Sequence, residues 1–179
     1  MNTPARAQCQ IINKSRVVLI PFAMEHVRLT FSWLQDEELR RMFLMRGELT
    51  REGHWAHFER VLADISQRVY AIILDGLHVG NCGFKNLSPA GKEGELWIYI
   101  GEPAMRRKKI GTRATRLMLK EGLGELGLKV IRVHVADFNI AARKMYEQIG
   151  FLEAAPQVDE RGEWTNRGCR VLRMKFIGE

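Results

Sequence analysis

The chain has 179 residues, the length of one ordinary domain, with 46% apolar and 27% charged residues and no apolar run long enough to span a membrane. Its net charge of +7 is concentrated: Met105 to Arg116 carries Arg106, Arg107, Lys108, Lys109, Arg113 and Arg116 with no acid between them. A short basic cluster suits a local anion site and argues against a nucleic-acid face, which spreads cations along a phosphate backbone. Cys9, Cys82 and Cys169 are far apart with no CxxC pair, so a cytoplasmic setting is expected, without a disulfide framework or a metal site.

Met1 to Arg16 is polar apart from Ile11 and Ile12 and reads as a loose N-terminal arm, leaving 17–179 as a single domain. Val17 to Ile20 is a β-branched strand, and Val27, Phe31 and Leu34 recur at helical spacing over Met24 to Gln35. Thr50 is a helix N-cap with Glu52 in the first turn, and Trp55, Phe58, Val61, Leu62 and Ile65 are the expected inward face. Val69 to Leu74 and Leu77 to Leu87 flank Asp75-Gly76, which suits the two positive-φ positions of a tight hairpin. Glu95 to Gly101 is a third strand, antiparallel to the second. Beyond the basic segment, Ile110, Ala114, Leu117, Met118 and Leu126 predict a helix, Val130 to Val135 a buried strand, and Asn139 to Ile149 a helix closed by Gly150. Phe151 to Phe176 reads as two strands joined near Gly162. The fold class is α/β, a mixed and mostly antiparallel central sheet flanked by helices.

Two segments carry chemistry. Arg106-Arg107-Lys108-Lys109-Ile110-Gly111-Thr112 lies between a strand and a helix N-terminus, where unpaired N–H groups and the helix dipole attract phosphate; the lesser alternative, for this segment alone, is a solvated basic turn. In Asn139 to Phe151, Asn139 is an N-cap, Ala142, Tyr146 and Ile149 share a face, and Gly150 supplies the exit. Together, R-x-x-x-I-G followed by N-x-x-A-x-x-x-Y-x-x-x-G-F resembles the signature of the GNAT acetyltransferase superfamily. The resemblance covers Ile72 to Phe151 well and the N-terminal helices more loosely. It implies acetyl-CoA as cosubstrate, held by Arg106, Arg107, Lys108, Lys109, Ile110, Gly111 and Thr112 at the pyrophosphate and by Asn139 and Ala142 near the arm. It also implies a splay between the strands at Glu95 and Val130, where Ile98, Tyr99 and Ile100 present backbone groups to the pantetheine and an N–H near Tyr99 steadies the thioester oxygen. Tyr146 would protonate the departing thiolate. The usual loop of this family reads Arg-Gly-x-Gly-x-Gly, and here Arg107 and Lys109 occupy the first two glycine positions.

The acceptor amine must lose a proton. Glu95 shares a face with Trp97 and Tyr99 and is either a base or a solvated strand end; His54 and His57 are either bases or surface histidines. His26, His78 and His134 read as structural. The texture of Trp33 to Asp36, Thr50 to Trp55 and Glu95 to Gly101 resembles acetyltransferases acting on nucleotide-linked amino sugars and, in much the same measure, ribosomal-protein N-terminal acetyltransferases. The first is favoured, with Arg40, Arg41 and Arg46 as cations for a diphosphate and Trp55 as a stacking surface. Direct transfer in a ternary complex is the expected mechanism and a homodimer the expected assembly; a non-catalytic acyl-CoA-binding or protein-interaction module is the other class retained.

Overall fold

The computed structural model describes residues 16–88, 90, 92–155 and 168–178. The arm up to residue 15, Cys9 included, and the join near Gly162 lie outside the described residues. In chain order the elements are β1 (Val17–Pro21), α1 (Val27–Trp33, preceded by a 3-10 turn at Met24–His26), α2 (Glu37–Met42), α3 (Arg51–Ala63), β2 (Arg68–Leu74), β3 (Leu77–Ser88) and β4 (Glu93–Ile100). They continue with α4 (Ile110–Lys120, extended by a π turn over Glu121–Glu125), β5 (Val130–Ala136), α5 (Ile140–Ile149), β6 (Leu152–Glu153) and β7 (Val171–Ile177).

The strands form one seven-stranded sheet in the order β1-β2-β3-β4-β5-β7-β6. β1 to β4 are an antiparallel meander whose β2–β3 turn places Asp75 and Gly76 at φ 49° and 84°, both left-handed as the dipeptide predicts. β5 joins β4 in parallel and β7 is antiparallel to β5. Alternation sends Leu96, Ile131, Val133 and Met174 to one face, where they pack with Ile110 and Met118 of α4 and with Phe151. Val69 and Ala71 point to the other, under Val27 of α1 and Phe58 and Val61 of α3.

Two expectations need correction. The inward stripe of α3 is His54, Phe58 and Val61, at i, i+4 and i+7. Trp55 and Leu62 lie one residue along on the helix, 46% and 39% exposed, and Ile65 lies beyond its end at 88%. The true stripe includes a histidine, which makes it look less apolar in sequence than the expected one. The second miss is α2, whose N-cap Asp36 accepts from the N–H groups of Glu38 (2.9 Å) and Leu39 (3.2 Å).

The end of β4 is fixed by close packing. Trp33 closes over Gly101, and a Cβ at that position would fall inside the indole ring. Gly101→Ala is therefore expected to cost about 1–3 kcal/mol by overpacking, read as a lower Tm in thermal unfolding. An unchanged Tm would mean that the Trp33 contact is loose.

Candidate active site

β4 and β5 are paired only at Glu93↔Val130, Gly94↔Ile131 and Glu95↔Arg132. Beyond Glu95 they part, because β4 stays with β3 as far as Ile100↔Gly80 while β5 stays with β7 through Ala136↔Val171. The gap leads into a cleft of about 250 Å³. Glu95, Ile98, Tyr99, Asn139, Ala142, Tyr146 and His54 all line it, so residues singled out from widely separated segments share one cavity. Ile100 and the loop from Arg106 to Thr112 are not part of its lining.

Hydrogen-bond direction decides which backbone groups face the gap. Gly101 donates to the Val79 carbonyl and the Tyr99 carbonyl lies against Gly80, so Tyr99 turns its peptide groups to β3. By alternation Ile98 and Ile100 face the gap. The expected N–H near Tyr99 therefore belongs to Ile98 or Ile100, and the Tyr99 side chain is buried on the α1 side, where Asn81 Nδ2 donates to its hydroxyl (2.7 Å) and to Thr30 Oγ1 (2.9 Å).

Tyr146 enters from α5. It is 5% exposed, against Phe151, and among the described residues no protein group hydrogen-bonds to its hydroxyl. Burial pushes its pKa above the usual tyrosine value, so it is a protonated hydroxyl in the cleft wall. Asn139 caps α5 by accepting from Ala142 N–H (3.2 Å).

Glu95 approaches from the other sheet face and is buried, which removes the reading as a solvated strand end. Its Oε1 lies 3.2 Å from Lys85 Nζ and 3.1 Å from His134 Nδ1, and Asn86 donates to its Oε2 at 3.2 Å. Burial opposes ionisation here, but His134 and Lys85 outweigh it and hold the carboxyl below its ordinary value. His134 is thus part of the cleft wall and not a remote structural histidine. The sequence signal for it was slight: an ionisable residue within an apolar strand. His54 is also buried, between Phe31 and Phe58, with Nε2 unpartnered; burial, then His57, pushes it below the ordinary imidazole value, so it is no surface histidine.

The basic loop divides in two. Arg106 is committed elsewhere: Nε donates to the Ile100 carbonyl (3.1 Å), one terminal nitrogen to Gly101 O (3.0 Å) and the other to Asp36 (2.7 Å). It braces the end of β4 against α2, which corrects its expected place at a phosphate. Arg107, Lys108 and Lys109 are exposed. Arg107 and Lys109 hold φ at 61° and 57°, so the loop keeps a glycine-like path with two long side chains on it. Lys109 starts α4 with no side-chain cap and no acid in the first turn, which leaves the helix N-terminus open to an anion.

The match to known proteins agrees with this geometry. Residues 16–152 match the family model described as an acetyltransferase (GNAT) domain. The chain belongs to the GNAT acetyltransferase family. Among curated proteins, alpha/beta-tubulin-N-acetyltransferase 9 of Mus musculus is 26% identical over 78% of this chain, a span that makes up 63% of the mouse protein; the Homo sapiens protein is 29% identical over 78% of this chain and 74% of its own length. In solved structures, a spermidine N-acetyltransferase from Vibrio cholerae in complex with CoA and spermine superposes with TM-score 0.80 at 18% identity, covering 90% of this chain and 95% of that one. A domain from Methanocaldococcus jannaschii DSM 2661 gives TM-score 0.74 at 19% identity, covering 92% and 99%. The GNAT chain is an acyl-CoA-dependent N-acetyltransferase, and acetyl-CoA is its cosubstrate. The residues present fit that molecule: an uncapped helix N-terminus ringed by exposed cations suits phosphates, and the peptide groups of Ile98 face a gap with no strand to meet them.

The strained loop generates a measurable expectation. A left-handed lysine costs about 1–2 kcal/mol relative to an unstrained residue, part of which glycine recovers. Lys109→Gly is expected to raise Tm by a few degrees, and to flatten the salt dependence of acetyl-CoA binding measured by titration calorimetry. A lower Tm would show that the lysine stabilises the loop by contacts that outweigh the backbone strain.

Proposed function

We propose that this enzyme acetylates the α-amine of a polypeptide whose first residue is apolar, with Tyr146 as the acid that protonates the coenzyme A thiolate. The carrying observation is the lining of the acceptor half of the cleft: Leu34, Met42, Phe43, Met45, Phe58 and Trp97 form an apolar wall opposite the splay. Such a wall takes a methionine-sized side chain and presents the attached amine to the gap.

Charge arguments separate this reading from two others. A polyamine carries several ammonium groups, each needing a carboxylate when desolvated, and among the described residues that line the cleft Glu95 is the sole acid, already in contact with Lys85 and His134. A nucleotide diphosphate needs cations. The arginines expected to supply them face elsewhere: Arg40 donates to the Gly47 carbonyl, Arg41 stacks on the Phe138 ring at 4.7 Å, and neither they nor Arg46 line the cleft. Trp55 points away, donating to Glu59 at 3.1 Å. An α-amine also has a reference pKa of about 7.7–8.0, well below a lysine-like amine, so a larger fraction is neutral and nucleophilic at neutral pH. The tubulin N-acetyltransferases among the relatives support the peptide reading.

In the transfer, the neutral amine attacks the thioester carbonyl, the C–N bond forms and the C–S bond breaks, and the sulfur leaves as thiolate towards α5. Tyr146 meets it with a hydroxyl that burial keeps protonated. Backbone N–H groups of Ile98 or Ile100 face the developing oxyanion.

Two outcomes test the reading. With acetyl-CoA and a panel of a Met-initiated peptide, spermidine and a UDP-linked amino sugar, thiol release and mass spectrometry are expected to show acetylation of the peptide, with Met45→Asp raising peptide KM at least about tenfold while acetyl-CoA KM holds. Efficient turnover of spermidine or the amino sugar with the peptide inert would overturn it. Tyr146→Phe is expected to lower kcat by about 10²–10⁴-fold with acetyl-CoA affinity retained; an unchanged kcat would assign Tyr146 to packing alone.

A further inference from the structure

We infer that His134 is the base that takes the proton of the acceptor amine, and that Glu95 positions it and balances its charge. The inference rests on acetyl transfer itself and not on which amine is the acceptor.

Among the described residues that line the cleft, four are candidate bases: Glu95, His54, His57 and His134. Glu95 is a weak one. Its carboxyl is held below the ordinary range, and its oxygens are engaged by Lys85, His134 and Asn86. His54 is pushed the wrong way by burial, and its ring sits between Phe31 and Phe58, where an imidazolium would have no counter-charge. His57 lies on the exposed side of α3 with Arg60 as its charged neighbour. His134 alone combines a place in the cleft with a carboxylate against one ring nitrogen, at 3.1 Å.

That contact sets the chemistry of the other nitrogen. The contact at Nδ1, an ion-pair distance outside hydrogen-bond geometry, places negative charge beside that nitrogen, which favours the tautomer with the proton on Nδ1 and the lone pair on Nε2 and stabilises the imidazolium that forms when Nε2 accepts a proton. Lys85, 3.2 Å from the same carboxylate oxygen, keeps Glu95 ionised through the cycle. Among the described residues, other charged or titratable groups near His134 are Glu93 on β4, paired with Arg132 of β5, Arg173 facing it in register from β7, and His54 and His57 across the cleft.

Sheet alternation separates the acid from the base. Val133 and Val135 point to the α4 and α5 face where Tyr146 sits, whereas His134 and Glu95 point to the face of the acceptor wall. The proton balance follows. An ammonium gives one proton to His134 Nε2, which later releases it to water. The neutral amine attacks, and the second proton shed by nitrogen as the amide forms replaces the one that Tyr146 gives to sulfur. One proton is released per acetyl group transferred.

The first test needs no acceptor. In ¹⁵N-histidine-labelled protein, neutral His134, assigned by the signal missing from His134→Gln, is expected as the Nδ1–H tautomer, with that preference weakened in Glu95→Gln. An Nε2–H tautomer would overturn the proposal. The second reads kcat against pH, over about pH 6 to 9, for acetyl-CoA and a Met-initiated peptide. His134→Gln is expected to lower kcat about 10²-fold or more and move its rise with pH upward, towards the pH at which the amine deprotonates unaided, with acetyl-CoA KM unchanged. Glu95→Gln is expected to lose less rate. An unchanged kcat–pH profile in His134→Gln, or a larger loss in Glu95→Gln than in His134→Gln, would overturn the assignment, the latter making Glu95 the base. If the peptide is inert and spermidine turns over, the same profiles are read with spermidine; the peptide reading then fails while His134 is still tested.

Discussion

The parting of β4 from β5 after Glu95 and Arg132 is the constraint on which the site depends. A strand that leaves its neighbour exposes peptide groups, and buried ones must find partners. Arg106 solves this at the far end of the gap by taking the carbonyls of Ile100 and Gly101, and Asp36 holds the guanidinium in place from the start of α2. Among the described residues Ile98, in the middle, has no such substitute, and its peptide groups face the gap. The Asp36 carboxyl is held below its usual pKa chiefly by that arginine, so the brace stays charged at neutral pH. One ion pair, between residues far apart in sequence, therefore ties the acceptor helices to the donor gap.

Much of the architecture was legible because its signals are local. The Asp75-Gly76 turn, the Thr50 cap, and the Asn139 to Gly150 helix each declare themselves within a few residues, and the structure places all three as read. What escaped was set by partners distant in sequence. Arg106 looked like one more cation in a basic run until Asp36 appeared beside it, and His134 looked like a core histidine until β4 brought Glu95 against it. The α3 stripe failed for a third reason: a buried histidine made the correct face look less apolar than its neighbour.

The loop before α4 shows how conformation can persist when composition changes. Glycine is favoured at its two left-handed positions because it has no Cβ to clash there, yet Arg107 and Lys109 adopt the same φ. The backbone path is thus imposed by what flanks it, the Arg106 brace on one side and buried Ile110 on the other. The strain is tolerated where its side effect is useful, since both substituted residues add positive charge beside an uncapped helix N-terminus.

Placing the acid and the base on opposite faces of the sheet has a chemical consequence. Transfer must deliver a proton to a sulfur and remove one from a nitrogen, and a single group beside both atoms would exchange protons with whichever was the stronger base. Here the nearest groups differ in kind. In the proposed transfer Tyr146, buried beside Phe151 with its pKa pushed up, holds its proton until a thiolate demands it. The Glu95–His134 pair accepts one from a cationic amine, because its carboxylate compensates the charge that forms. The wall between them is the single layer of backbone that the splay opens, so the thioester meets both groups only inside the gap.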